Sequence, residues 1–395
     1  MGKNGIDKKQ HRACLGLFLL CCALLSSCQE PSITEPMPAK VDLVVYTAQE
    51  EAVYEPVIKE FEERTNLLVK VEKGSSEELV RRLEEKSEAQ RGQTQKGQTQ
   101  KDEPQKGQTQ KDEPQNGQPQ KDEPQKDEPQ KDQALTDWDV VFGVGIETLE
   151  QTKEHWQAYQ SPEAVYIAEN FQCSHNRWTS FSALPLVIMY NTNVVTYREL
   201  PVGWNSLLEP RWKGRIAFMD PCQSDVYSSA LVTAVHAWEG QGDYLEQFMD
   251  NLEYSTLDSQ AEVTTGILDG RYSLGVTMEE SAQALLSEGA DVDYIYPEEG
   301  TTALPDGTAI VKDCAHGDAA RQFLDFTVGK DTQRLLVSSL NRRSVRSDVP
   351  PLPGLSPIRR LPLIEMDLEE LSEEKEDVLA RWNRILSRRE GRHVK

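Results

Sequence analysis

The sequence predicts an α/β protein with a mostly parallel sheet covered by helices, and two sheets fit its length better than one. Three observations predict this. Short apolar runs recur along the chain, and most are followed by a stretch with helical periodicity. The chain has 395 residues, enough for two domains after N-terminal processing. The alternation breaks only at a polar stretch near the N-terminus, a low-complexity segment at 91–130, and a proline-rich connector near the C-terminus.

The elements follow in order. Val41–Tyr46 reads as a buried strand. Glu50–Arg64 is helical, with Val53, Val57, Ile58 and Phe61 on one face. Leu67–Val71 is a second strand. Ser75 and Ser76 start a helix to about Ala89, with Glu78 in the capping-box position. Residues 91–130 are eight pentapeptides of the kinds RGQTQ, KGQTQ, KDEPQ and NGQPQ. They contain no aliphatic or aromatic residue, so burial cannot offset their ordering entropy. A disordered insertion over 91–132 is therefore expected. Trp138–Phe142 is a strand that ends in Gly143-Val144-Gly145. Further strands are expected at 186–190, 216–219, 273–277, 292–296 and 308–311. Helices are expected at 225–238, 259–268, 279–288, 317–328 and 331–340. Pro350–Pro353 is an extended connector. A last helix, about 372–387, carries Val378, Leu379, Trp382, Ile385 and Leu386 at helical spacing and reads as a strap on the body.

The N-terminus reads as processing signal. Lys3, Lys8, Lys9 and Arg12 precede an apolar run, Leu15–Leu25, too short to span a bilayer. Leu25-Ser26-Ser27-Cys28 follows, and the pattern resembles a bacterial lipoprotein signal with Cys28 as the lipidated residue. The expected divisions are a signal peptide at 1–27 and a tether at 28–40. The expected location is the cell envelope, lipid-anchored in the periplasm or on the outer face of a membrane. Loss of 1–27, which carries four Lys/Arg and one Asp, takes the formal charge from −23 to −26. Such acidity argues against nucleic acid as a partner. Cys173, Cys222 and Cys314 remain, open to one disulfide plus a thiol or to three buried thiols.

Ligands of open α/β sheets bind beyond the carboxyl ends of the strands. The loops there are Thr47–Glu50, Lys73–Ser76, Gly143–Gly145, Asp220–Asp225, Thr277–Glu279 and Gly300–Thr302. Most join hydroxyls or glycine to a helix N-terminus, which is what an anion pocket needs. The candidate binding residues are Thr47, Gln49, Ser75, Ser76, Gly145, Ser224, Asp225, Thr277, Glu279 and Thr301. No GxSxG, HExxH or P-loop occurs, and His155, His175, His236 and His316 show no metal-ligand spacing. Neither an enzyme nor a cofactor is expected.

Several stretches carry a family resemblance. They are Val44–Val57 with Phe61–Thr65, Asp139–Gly143, Trp204–Gly214 with Ile216–Pro221, Tyr296–Thr301, and Arg343–Arg346 with Asp348–Pro350. The chain resembles the solute-binding proteins of bacterial ABC transporters. Within the type II periplasmic-binding superfamily, it is similar to the group of ferric-iron, sugar-phosphate, phosphonate and thiamine binders. The resemblance implies a two-lobed type II periplasmic-binding-protein fold with hinge strands and a ligand cleft between the lobes. Lobe 1 would comprise 41–90, 133–185 and 298–345, lobe 2 would comprise 186–297, and 346–395 would be the strap. It implies a monomer that delivers a small solute to a membrane permease and its ATPase. The ferric branch uses a histidine in the first loop and a tyrosine pair near the helix after 276. The corresponding places here are Glu50 and Thr277-Met278. The resemblance therefore implies a phosphorylated sugar or phosphonate-like solute. Ser75, Ser76, Ser224, Thr277 and Thr301 would donate to phosphate, and Asp225 and Glu279 would meet hydroxyls or an amine. A ferric or other cation held by Glu50, Asp225 and Glu279, or a surface-contact lipoprotein, stays open as an alternative.

Overall fold

The computed structural model describes residues 40–99, 137–238, 240–364 and 368–393. The leader, Cys28, the tether up to residue 39 and repeat residues 100–136 lie outside the described residues.

Lobe 1 is built on three parallel strands. β1 (Leu43–Thr47) lies between β2 (Val69–Lys73) and β3 (Val140–Gly145). The helices following them are α1 (Glu51–Thr65), α2 (Ser76–Thr99) and α3 (Ile146–Gln151). The alternation of β1 side chains makes two cores, one on each face of the sheet. Val45 points into one with Phe61, Phe142, Phe181 and Phe323, whose rings meet edge to face at 4.5–5.5 Å. Tyr46 points into the other with Leu79, Leu83, Leu149, Trp156 and Trp178. α2 runs to Thr99, past the expected end near Ala89, which corrects the boundary of the expected insertion.

The expectation of a mostly parallel sheet needs correction. β4 (Thr179–Asn191), thirteen buried residues long, pairs antiparallel with β8 (Ala303–Ile310) through its first half. Its second half pairs antiparallel with β6 (Leu274–Met278) and β7 (Val292–Ile295). β5 (Ile216–Ala217) joins β6 in parallel, and β9 (Arg343–Ser344) joins β4 antiparallel. One nine-stranded mixed sheet therefore passes through both lobes in the order β2-β1-β3-β8-β4-β6-β5. β8 also runs antiparallel to β3, so the returning chain reverses the sheet where lobe 1 ends.

Lobe 2 packs α4 (Asp225–His236), α5 (Tyr244–Asn251), α6 (Gln260–Leu268) and α7 (Glu279–Ser287) around β4–β7. α5 falls in a stretch where no helix was expected. Asp243 caps it by accepting from Leu245 N, and Tyr244, Leu245, Phe248 and Met249 are buried. α8 (Gly317–Val328) and α9 (Lys330–Leu340) complete lobe 1. The chain then runs along the hinge, where Thr301 bridges Leu363, and ends in α10 (Leu368–His393). Val378 and Trp382 of α10 are fully buried in the lobe 2 core, Trp382 beside Phe218 and Phe248. Among the described residues no disulfide forms, and the expectation of three buried thiols is corrected: Cys173 and Cys314 are half-buried and Cys222 is exposed. Each stands on a loop or 3₁₀ turn rather than in a core.

Candidate functional site

Two charged clusters join residues of the two lobes. The first is centred on Arg342, just before β9, with its side chain buried. Nη1 donates to Asp306 at 2.6 Å and to Ser182 at 3.2 Å, both on the hinge strands. Nη2 donates to Gln49 at 2.8 Å in the loop after β1, and Nε lies 2.5 Å from Glu280 at the start of α7. Gln49 reaches there because residue 143 is glycine. Gly143 has φ +65°, and a Cβ would lie 2.4 Å from Gln49 Cγ. Burial pushes the Asp306 carboxyl up to about 6, against the pull of Arg342. Arg343 continues the cluster. Its Nε donates to both oxygens of the buried Glu279 carboxylate at 2.9 Å, and Nη2 donates to Tyr296 at 3.0 Å. Burial raises the Tyr296 phenol strongly, so it stays protonated and donates to Glu279 at 2.6 Å.

The second cluster joins α3, α4 and α10. Lys375 Nζ lies 2.8 Å from Glu147 Oε2 in lobe 1 and 2.6 Å from Asp225 Oδ1 in lobe 2. Ser229 of α4 donates to the other Glu147 oxygen at 2.8 Å. Burial alone would lower the Lys375 ammonium, but the two carboxylates outweigh it and draw its pKa upward. The strap thus supplies a cation between the lobes.

The candidate residues fall into four groups. Gln49, Asp225 and Glu279 enter the bridging clusters. Thr47, Ser75 and Thr301 use their hydroxyls within the protein: Thr47 donates to Phe142 O, Ser75 accepts from Glu78 N, and Thr301 donates to Leu186 O. Ser76 opens α2, and Gly145 and Ser224 stand just before α3 and α4. Thr277 is different. Its hydroxyl and that of Tyr227 are buried, and neither makes a hydrogen bond of good geometry. The two are near enough for Thr277 to influence the phenol's ionisation. Glu50 is turned out to solvent with Lys73 at 2.6 Å. Sequence reasoning missed Arg342, Asp306, Glu280, Glu147 and Lys375. The paired charges Arg342-Arg343 and Glu279-Glu280 were the available signal.

Among the described residues no group of three His, Cys, Asp or Glu side chains is arranged to hold a metal ion. No described helix is long and apolar enough to cross a membrane.

A model of the family "Bacterial extracellular solute-binding protein" matches residues 139–356. An uncharacterized protein of Haemophilus influenzae is 28% identical over 140 residues, 35% of this chain and 40% of that protein. The major ferric iron-binding protein of Neisseria meningitidis serogroup B is 21% identical over 205 residues, 50% of this chain and 61% of that protein. The chain thus spans less than two thirds of these curated relatives. Iron-bound HitA from Pseudomonas aeruginosa superposes with a TM-score of 0.67 at 17% identity, covering 88% of this chain and 99% of that one. AfuA from Actinobacillus pleuropneumoniae, with fructose-6-phosphate bound, gives 0.66 at 20% over 88% and 99%. At these identities the structures show the fold: two lobes of the type II periplasmic-binding kind.

Proposed function

The chain belongs to the family of bacterial extracellular solute-binding proteins, and we propose that it captures a small anionic solute, a phosphorylated sugar or phosphonate-like compound, between its lobes. The observation that carries this reading is the pair of buried hydroxyls on Tyr227 and Thr277, where α4 and α7 begin. A buried hydroxyl without a sound partner is costly, and a ligand oxygen relieves that cost. Burial raises the Tyr227 phenol well above its ordinary range, so it serves as an O–H donor to an anion. The cation alternative needs Glu50, Asp225 and Glu279 to converge. They diverge instead, to Lys73, Lys375 and Arg343 respectively.

In this reading the protein is a binding component and not an enzyme. It hands its solute to a membrane permease driven by an ATPase, and it is held at the envelope by lipid on Cys28. Thr277→Val tests the site without breaking the fold, because it removes a hydroxyl the empty protein leaves unsatisfied. Sugar phosphates or phosphonates should raise the wild-type melting temperature; a ligand at 100 times its Kd adds about 2.7 kcal/mol. Thr277→Val should melt no lower than wild type when empty, yet bind about tenfold more weakly. Stabilisation by ferric citrate or a divalent metal alone would overturn the proposal.

A further inference from the structure

Cys173, His175 and Glu150 form a relay that shares no residue with the clusters that bridge the lobes. The chain turns tightly here: Asn176 N donates to Cys173 O, and Asn176 has φ +55°. Arg177 pins the turn by donating to the carbonyls of Lys153 and Trp156. Cys173 Sγ lies beside the His175 ring, 3.2 Å from Nδ1 and 3.7 Å from Nε2, and His175 Nε2 lies 2.9 Å from Glu150 Oε2. Trp178 Nε1 donates to the same Glu150 oxygen at 2.9 Å, and Lys153 holds the other at 2.7 Å.

These contacts choose the tautomer. Burial pushes the Glu150 carboxyl up, but hydrogen bonds from Lys153, Trp178 and His175 outweigh it and hold it below the usual carboxylate range. An ionised carboxylate only accepts, so the His175 proton sits on Nε2. Nδ1 is then the free acceptor of the ring, and the thiol lies beside it. Nucleophile, base and orienting carboxylate stand in the order that activates a thiol. Cys173 also lines a cavity of about 510 Å³, together with Phe171, Trp178, Gln160, Asn176 and Ser180. Its walls offer an aromatic face and amide and hydroxyl groups, which suits a small, polar, peptide-like molecule. The proposal above uses none of these residues.

We propose that Cys173 is a thiol–disulfide exchange site, activated by His175 and Glu150, that receives a low-molecular-weight disulfide from the adjoining cavity. The thiol passes its proton to Nδ1, and the thiolate attacks one sulfur of the incoming disulfide. A Sγ–S bond forms as the ligand's S–S bond breaks. The departing thiolate recovers the proton from Nδ1 and leaves as a free thiol. Cys173 is oxidised, half of the disulfide is reduced, and no other reactant is needed. The Glu150 carboxylate stabilises the imidazolium between the two proton transfers.

The other two described thiols are internal controls. Cys222 is exposed, and burial with Asp220 nearby raises its pKa. Cys314 is half-buried and pushed up to about 11 by burial. The full chain is treated with the aromatic disulfide dithiobis(nitrobenzoate), and adducts are timed and located by peptide mass spectrometry. Cys173 should react at least about tenfold faster than Cys222, although Cys222 is the more exposed. His175→Gln should bring Cys173 down to the Cys222 rate or below, and Glu150→Gln should lower it part of the way. The Cys222 rate should stay constant and so report an intact fold. A Cys173 no faster than Cys222 in the wild-type protein overturns the proposal, whatever the variants do. So does a fast Cys173 whose rate both variants leave unchanged.

Discussion

Lys375→Met removes the strap's ammonium while keeping an apolar stem of similar length over lobe 2. The Lys375 and Glu147 side chains are 18% and 14% exposed, whereas Asp225 is 41% exposed. Breaking a buried pair costs about 3–5 kcal/mol, because the remaining charge is stranded. Asp225 is open to water, so its half resembles a surface pair worth about 0–1 kcal/mol. Glu147 also keeps its bond from Ser229. The expected loss is therefore about 2–3 kcal/mol, nearly all through Glu147. Urea unfolding with linear extrapolation measures it. A cycle with Glu147→Gln should give a coupling of about 1–2 kcal/mol, and Asp225→Asn alone should cost less than about 1 kcal/mol. The reasoning fails if Lys375→Met and Glu147→Gln add to within about 0.3 kcal/mol, or if Asp225→Asn costs more than Glu147→Gln.

Trp382→Ala should destabilise by about 3–5 kcal/mol, since a fully buried indole between Phe218 and Phe248 leaves a cavity; a loss under about 1 kcal/mol would mean that α10 is not part of the core. Asp306 holds its proton to a higher pH when folded, up to about 6. Its contribution is therefore full below pH about 4 and declines as pH rises to about 6, by at most about 1.4 kcal/mol per unit. Asp306→Asn should flatten that slope in urea melts across this range. Gln333→Leu should cost about 2–4 kcal/mol, because the amide donates to Phe181 O and Thr327 O and accepts from Ser344 and Val345; a change within about 0.5 kcal/mol would refute its role as a tie between α9 and the hinge.

What could be read in advance followed local periodicity. The Val53-Val57-Ile58-Phe61 face, the Val378-Trp382 stripe and the strand-to-helix order all depend on near neighbours in the chain. The direction of β4 and β8 does not. Thr179 pairs with Thr308 across more than a hundred residues, and no local pattern marks that as antiparallel. The candidate residues were expected on loops; Gln49 lies on one, whereas Thr277 is inside β6 and Asp225 and Glu279 open α4 and α7. Their partners were not legible. Arg342 meets Gln49 and Lys375 meets Glu147 only after the hinge and the strap have folded back. Cys173-Ser174-His175 was not singled out in the sequence, and the carboxylate that orients the ring comes from Glu150, more than twenty residues away.

The two cores differ in when they can be completed by a chain that emerges from its N-terminus. Lobe 1 begins with β1, yet Ile310, Phe323 and Leu336 belong to the same core as Leu43. Lobe 2 is nearly continuous in sequence, but its largest missing piece is Trp382, close to the C-terminus. The lobe 1 core cannot close before Leu336 is delivered, nor the lobe 2 core before Trp382. Loop closure over such separations makes the finished state slow to nucleate. A chain threaded through a narrow pore meets little premature structure to pull apart, and it acquires its stability nearly all at once on release.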